Sequence, residues 1–283
     1  MKELDGAALD ERLRAFLSED VGRIDATTEA TVSAATRTRG ELVAKSECVV
    51  SGLPVARRVF ELLDPELSWE KAAAAGAKAE ASTPLAFLAG QARAVLTAER
   101  VALNLLQRMC GIATATRRFV EAVAGTGCRI LDTRKTAPGL RPFDRQAVRD
   151  GGGTNHRYDL TEMVLIKDNH RRLAGGVARA VAAARAGAPG LPVEVEVESE
   201  QELREAIAAG ADRILIDNQA PETVALWCRI AREAAASPFI EASGNMTLAT
   251  VRAYAMAGAD AVSVGALTHS VAAADVSLEI FTA

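Results

Sequence analysis

Lysine is scarce in this chain, six residues against 27 arginines, so a lysine standing among other chemistry-bearing residues carries information. Two of the six follow short β-branched runs. CRILDT (128–133) leads into Arg134 and Lys135, and MVLIKD (163–168) carries Lys167 and leads on through Asp168 and Asn169 to His170. Four further runs also end in polar or small residues. PVEVEV (192–197) holds Glu194 and Glu196 with Glu198 beyond, and DRILID (212–217) ends at Asp217-Asn218; FIEASG (239–244) ends at Ser243-Gly244-Asn245, and AVSVGA (261–266) at Gly265-Ala266. Between the first two runs, Gly151-Gly152-Gly153 precedes Asn155, His156 and Arg157. Clustered Arg and Lys bind anions by charge-assisted hydrogen bonds. Glu196 and Asp217 are the hard oxygen donors that Mg²⁺ accepts when it also holds substrate phosphates. Bare backbone N–H groups at the glycine-flanked ends cradle phosphate. All three histidines, His156, His170 and His269, stand beside these elements.

The runs alternate with Ala-rich helical stretches such as GGVARAVAAARAG and SEQELREAIAAG. Alternating strands and helices specify a parallel sheet, and six such units predict an α/β barrel short of the usual eight. Parallel strands bring their C-terminal ends to one face, so these polar groups should converge. The first hundred or so residues lack this grammar and should form a separate α+β domain. There the pattern predicts a helix over 7–18, burying Ala8, Leu9, Leu13, Phe16 and Leu17, and a strand or hairpin over 39–52. Helices follow at 54–63 and 91–108, and another at 112–124 begins after Gly111.

The chain has 283 residues and a net charge of −4, with 49% apolar and 25% charged residues, a balance that excludes a disordered or low-complexity chain. No global positive field points to nucleic acid. No apolar run reaches membrane-spanning length, the N-terminus has no signal-peptide core, and the expected location is the cytoplasm. Cys48, Cys110, Cys128 and Cys228 form no metal-ligand pattern and read as packed thiols. Residues 129–172 hold ten Lys and Arg against six Asp and Glu. A cationic pocket in an acidic protein suits a small polyanion rather than a polymer.

Each feature alone has an ordinary reading. The alternating Glu194, Glu196 and Glu198 could be solvated on a sheet edge, Arg134-Lys135 a charged turn, and the triple glycine a flexible loop. Cys110 and Cys128 could be packing residues, and His170 or His269 hydrogen-bonded structural residues. The agreement of six strand ends on one anion-plus-metal site favours function.

Taken together, Glu99-Arg100 with Ala102-Leu103-Asn104, Gly111-Ile112-Ala113-Thr114, LDTRKTAPGLR (131–141), GGGTNHR (151–157), LIKDNH (165–170), EVEVE (194–198), LIDN (215–218), EASGN (241–245) and SVGALTHS (263–270) resemble the quinolinate phosphoribosyltransferases. The resemblance spans about residues 90–280, with a weaker match at Glu19-Asp20 and Asp25-Ala26-Thr27-Thr28. It implies an N-terminal α/β sandwich domain over 1–110, joined by 270–283, and an incomplete barrel of about six strands over 111–269. It also implies a homodimer and a Mg²⁺-dependent, decarboxylating transfer from 5-phosphoribosyl 1-diphosphate to quinolinate, giving nicotinate mononucleotide for NAD synthesis.

By the same resemblance, Arg134, His156, Arg157 and Lys167 surround the quinolinate carboxylates, with Arg100 reaching them from the partner subunit. Lys135 lies between the two substrates. Glu196 and Asp217 serve the ribose and the Mg²⁺–diphosphate. Ser243, Gly244 and Asn245 with Val264, Gly265 and Ala266 take the 5-phosphate, and Thr133 and His269 complete the substrate-binding set. Lys135, Glu196 and Asp217 are the catalytic candidates. The chain departs from the family pattern at Arg145-Gln146 and at Asp150, an acid that would offset the pocket's charge if it pointed inward. Two other functions fit parts of the pattern. One is a barrel lyase using Lys167 or Lys135 as a Schiff-base lysine, and the other a non-catalytic relative of the molybdenum-transport-associated type.

Overall fold

The chain folds as two units, Met1–Arg117 with Thr136–Gly152 and Ser270–Ala283, and Arg118–Lys135 with Gly153–His269. The computed structural model describes residues 6–70, 72–235 and 237–282; Met1–Asp5 of the charged N-terminal segment lie outside them. In chain order the elements are α1 (Gly6–Val21), α2 (Ala26–Thr31), β1 (Arg37–Ala44), β2 (Cys48–Val49), α3 (Leu53–Leu63), β3 (Ser68–Glu70), β4 (Lys78–Ala79), β5 (Thr83–Gln91), α4 (Ala92–Ala122), β6 (Arg129–Leu131) and α5 (Arg141–Asp150). They continue with β7 (Val164–Ile166), α6 (Asp168–Ala174), α7 (Val177–Gly187), β8 (Val193–Val197), α8 (Glu200–Ala208), β9 (Arg213–Asp217), α9 (Pro221–Glu233), β10 (Phe239–Ser243), α10 (Val251–Met256), β11 (Ala261–Ser263), α11 (Ala266–His269) and β12 (Val276–Thr282).

In the first unit, Leu9, Leu13 and Leu17 form the buried stripe of α1, spaced one helical turn apart, while Ala8 is exposed. Strands β12, β1, β5 and β3 make an antiparallel sheet in that order. Of the strand or hairpin expected over 39–52, the strands form as β1 and β2 but do not pair as a hairpin: β1 pairs with β12 and β5, while β2 pairs with β4. The core includes Leu42, Phe60, Leu85 and Leu106, all fully buried, and each such side chain contributes about 1.5–3 kcal/mol.

Two other expectations are corrected here. The helices predicted on either side of Gly111 are one 31-residue helix, α4. Gly111 is a contact, because a Cβ there would overlap the Ala272 carbonyl oxygen. The segment before β12 lies on α4 at this point, where Ala274 N–H donates to Gln107 O at 2.9 Å and Gln107 Nε2 to Val276 O at 2.7 Å. Helix α5, within the stretch expected to belong to the barrel, groups with the first unit because Phe143, Ala147 and Val148 enter that unit's core.

The second unit is a six-stranded sheet in the order β6-β11-β10-β9-β8-β7, parallel throughout. Its six strands fall on the six runs read from sequence. Strands β6 and β7 are the two edges of this incomplete barrel, and a parallel bridge from Leu131 to Thr154 lays the following segment beside β6. Strand β8 lies between β9 and β7 and is buried at every position, so the solvated-edge reading of Glu194 and Glu196 fails. Glu198 lies beyond the strand. Ile214, Ile216, Ile240 and Val262 fill neighbouring strands, as parallel strands covered on both faces require.

All four cysteines are buried and free. Burial pushes Cys128 up to about 12 and Cys228 up to about 11, so neither supplies a thiolate nucleophile. Among the described residues, no helix is long and apolar enough to cross a membrane.

Candidate active site

The C-terminal strand ends of the second unit enclose a cleft of about 550 Å³. Thr133 and Lys135 reach it from the loop after β6, Lys167 from the end of β7, Glu196 from β8, Asp217 from β9, Ser243 from β10 with Gly244 and Asn245 just beyond it, Gly265 from the turn after β11, and Ala266 and His269 from α11. Asn218, Met246, Thr247 and Ser263, absent from the expected set, also line it.

Lys167 Nζ donates to Glu196 Oε2 at 2.6 Å, with the lysine half exposed and the carboxylate almost covered. Asp217 accepts from Asn218 Nδ2 at 2.6 Å. Glu196 is in register with Leu215, two residues before Asp217, so the two carboxylates occupy diagonal positions on adjacent strands. Two such oxygen donors beside a cationic rim fit Mg²⁺, which keeps several waters and takes one or two carboxylates together with substrate phosphates.

The far side of the cleft is backbone. Gly244 has φ +107°, and a Cβ there would overlap Asn218 Oδ1 and lie 2.8 Å from Asn218 N. Asn218 and Asn245 are themselves left-handed, with φ +53° and +44°. Turns of this kind expose successive N–H groups to an anion. Val264 is buried, and its N–H donates to Leu131 O at 2.9 Å, so within 264–266 the cleft is lined by Gly265 and Ala266.

Arg134, His156 and Arg157 do not line this cleft. Asp132, fully buried after β6, ties their segment down, accepting from Asn155 Nδ2 and from His156 N–H, each at 2.6 Å. Burial, and next the charge of Arg134, lower the pKa of Arg157. Arginine stays protonated regardless; the mutual repulsion marks a place where a bound anion would be stabilised. Arg100 lies exposed on α4 in the first unit. His170 belongs to the start of α6, its Nδ1 accepting Lys167 N–H at 3.0 Å, which is the structural role weighed for it. Asp150 accepts from Ser51 Oγ and Gln146 Nε2, each at 2.6 Å and all within the first unit.

Below the rim, sequence reasoning missed a set of side chains working together. His156 Nε2 lies 3.1 Å from Glu194 Oε2 and 3.4 Å from Glu241 Oε2, and its side chain is only 7% exposed. Arg213 spans the same carboxylates, with Nε 3.1 Å from Glu194 Oε1 and Nη2 3.0 Å from Glu241 Oε2. Burial acts to lower the His156 pKa, but the two carboxylates outweigh it and the value rises to about 9. The Arg157 N–H directed at His156 Nδ1, at 2.8 Å, acts the other way by favouring the neutral ring with hydrogen on Nε2. Both forms carry that Nε2 hydrogen between the carboxylates. The one sequence signal for this set was acidic residues on inward-facing positions of otherwise apolar strands.

Family comparison covers most of the chain. The quinolinate phosphoribosyl transferase N-terminal domain matches residues 25–110, and the C-terminal domain of the same family matches residues 112–279. The chain is 41% identical over 273 residues to a probable nicotinate-nucleotide pyrophosphorylase (carboxylating) of Synechocystis, covering 96% of this chain and 92% of that protein. It is 41% identical to the nicotinate-nucleotide pyrophosphorylase (carboxylating) of Mycobacterium leprae, covering 98% of each. Its fold matches the crystal structure of NadC from Streptococcus pyogenes with a TM-score of 0.92 at 39% identity, covering 98% of this chain and 97% of that one. The chain belongs to the quinolinate phosphoribosyltransferase family.

Proposed function

We propose that this chain transfers the phosphoribosyl group of 5-phosphoribosyl 1-diphosphate to the ring nitrogen of quinolinate, with loss of the 2-carboxylate, giving nicotinate mononucleotide, diphosphate and CO₂ for NAD synthesis. The observation that carries this reading is the single cleft lined by Lys135, Lys167, Glu196, Asp217, the Ser243–Asn245 turn and the Gly265–Ala266 turn. It combines cations, hard oxygen donors and bare backbone, the three things a phosphoribosyl diphosphate and an aromatic dianion need.

In this account Arg134, Arg157 and Lys167 hold the two carboxylates and aim the ring nitrogen at C1 of the ribose, while His156, buried with both ring nitrogens engaged, supports Arg157 from behind. Orientation of this kind replaces a costly bimolecular encounter. The turns at 243–245 and 264–266 take the 5-phosphate, and Thr133 and His269 contact substrate at the rim. Glu196 and Asp217 lie where the departing diphosphate leaves positive character on the ribose, which carboxylates tolerate, while Lys135 offsets the charge of the leaving group. Glu196 and Asp217 would also hold Mg²⁺. When bound, that ion supplies Lewis-acid stabilisation of the diphosphate.

The nucleophile is the substrate's own nitrogen. Once alkylated, it accommodates the electron pair left at C2 when the C2–carboxylate bond breaks, and a proton then replaces CO₂. A Schiff-base lyase needs a neutral lysine, and Lys167 instead donates to a carboxylate.

We further propose a cytoplasmic homodimer in which Arg100 serves the partner's cleft. Its exposed position on α4 and the four free cysteines support this. The direct test is formation of nicotinate mononucleotide from quinolinate and 5-phosphoribosyl 1-diphosphate, with nicotinate as the control substrate. Product from quinolinate alone is expected, whereas a non-catalytic relative makes none.

A further inference from the structure

Glu194 and Glu241 lie one inward-facing position below Glu196 and Ser243 on β8 and β10, and both are fully buried. Burying two carboxylates is expensive, and apolar side chains of similar size in such places are often as stabilising or more so. Fold stability therefore does not account for them. What they do that leucine would not is hold an imidazole. Arg213 fixes the pair from the start of β9, its guanidinium 4.3 Å from the Phe239 ring centroid. His156 Nε2 meets the same pair from the other side.

The ring then reaches the anion-binding segment. Its Nδ1 accepts the Arg157 backbone N–H at 2.8 Å, and the Arg157 guanidinium is anchored by Nη1 donating to Met163 O at 2.8 Å. Both ring nitrogens are engaged, so the imidazole has one orientation, and that orientation fixes the backbone of Arg157. The network also meets the cleft: Ser263, which lines it, hydrogen-bonds Glu241.

We propose that Glu194, Glu241 and Arg213 are positioning residues for quinolinate: the carboxylates hold His156 from below, and His156 holds Arg157 where its guanidinium meets a ring carboxylate. This rests on the reading of the cleft as a quinolinate site. The Nε2 end of the strut uses a hydrogen present in either ring form, whereas the Nδ1 end accepts the Arg157 N–H only from the neutral ring, the form that N–H favours. The effect should fall chiefly on quinolinate, because the network reaches substrate through His156 and Arg157, whereas the phosphoribosyl side of the cleft is built from residues further along the same strands, Glu196, Asp217 and Ser243.

The test compares Glu241→Gln and Glu194→Gln with the wild-type chain. Each should raise the quinolinate KM about tenfold or more while the 5-phosphoribosyl 1-diphosphate KM stays within about twofold. Equal loss toward both substrates, or an unchanged quinolinate KM in a folded variant, overturns the proposal. Arg213→Gln, at a partly exposed position, is read by the same criteria if a glutamate variant fails to fold.

A second readout needs no turnover. With ¹⁵N-labelled histidine, the His156 Nε2–H correlation, assigned by its loss in His156→Asn, should persist in the wild type and exchange with solvent in Glu241→Gln. A wild-type ring lacking that hydrogen overturns the strut. A wild-type chain that makes no nicotinate mononucleotide overturns the function instead, and the imidazole measurement still judges the strut.

Discussion

Lys167 and Glu196 hold one another across the adjacent strands β7 and β8, Nζ to Oε2 at 2.6 Å. In the proposed function one serves the quinolinate carboxylates and the other the ribose and metal, so the two substrate sites would share an ion pair. Binding of either substrate must redistribute that pair's charge.

Lys167→Ala should therefore raise the quinolinate KM by roughly ten- to a hundredfold, the consequence of losing a charge-assisted contact of about 1.5–3 kcal/mol. Arg157→Ala should do the same. Because the Lys167 end of the pair is half exposed, its loss should cost stability only about 0–1 kcal/mol. Steady-state kinetics with each substrate varied, together with a thermal melt, check both parts.

Gly244→Ala tests the other end of the cleft. Its φ of +107° disfavours any side chain, and the new methyl would overlap Asn218. Strain of about 1–3 kcal/mol is expected, expressed as a higher KM for 5-phosphoribosyl 1-diphosphate because the turn must shift. An unchanged KM for that substrate would remove the turn from the phosphate site.

Removal of divalent cations should abolish turnover. Glu196 and Asp217 supply only two oxygen donors on neighbouring strands, and a diphosphate leaving group needs charge neutralisation beyond the Lys135 ammonium. Activity in excess chelator should fall to background and return with added Mg²⁺. Full activity in chelator would leave the two carboxylates with a ribose role alone.

Much of this site was legible because buried parallel strands are written as short β-branched runs, and in each unit the residue that breaks the run marks the open end. That is how Lys167, Glu196 and Asp217 could be placed together before any coordinates. What sequence misplaced depended on approach between distant segments. Gly111 reads as a helix stop, yet it makes room for the Ala272 carbonyl. Residues 39–52 read as a strand or hairpin, and β1 is that strand, yet its partners β5 and β12 lie outside the stretch. Helix α5 follows the first barrel strand in sequence but contributes Phe143 to the other unit's core. The His156–Glu194–Glu241–Arg213 set has no local spacing to reveal it, because its members meet only when the sheet curls.

Arg100 is the one assignment that calls on a second chain. Mixing Arg100→Ala with Lys167→Ala, at a quinolinate concentration too low for either variant alone to turn over measurably, should restore activity if each cleft draws Arg100 from its partner. Random reassortment makes about half the dimers hybrid, each with one intact site, so recovery near a quarter of wild type is expected from a two-fold arrangement. No recovery after demonstrated subunit exchange would assign Arg100 to its own chain's cleft or to none.

The central claim, decarboxylating phosphoribosyl transfer, is tested most directly by the fate of the 2-carboxylate. With quinolinate carrying ¹⁴C in that carboxylate, labelled CO₂ should be released only when 5-phosphoribosyl 1-diphosphate is present, in equal amount to the nicotinate mononucleotide formed. Absence of labelled CO₂ under conditions where the chain is folded and both substrates are saturating, or release without the phosphoribosyl donor, would contradict the account.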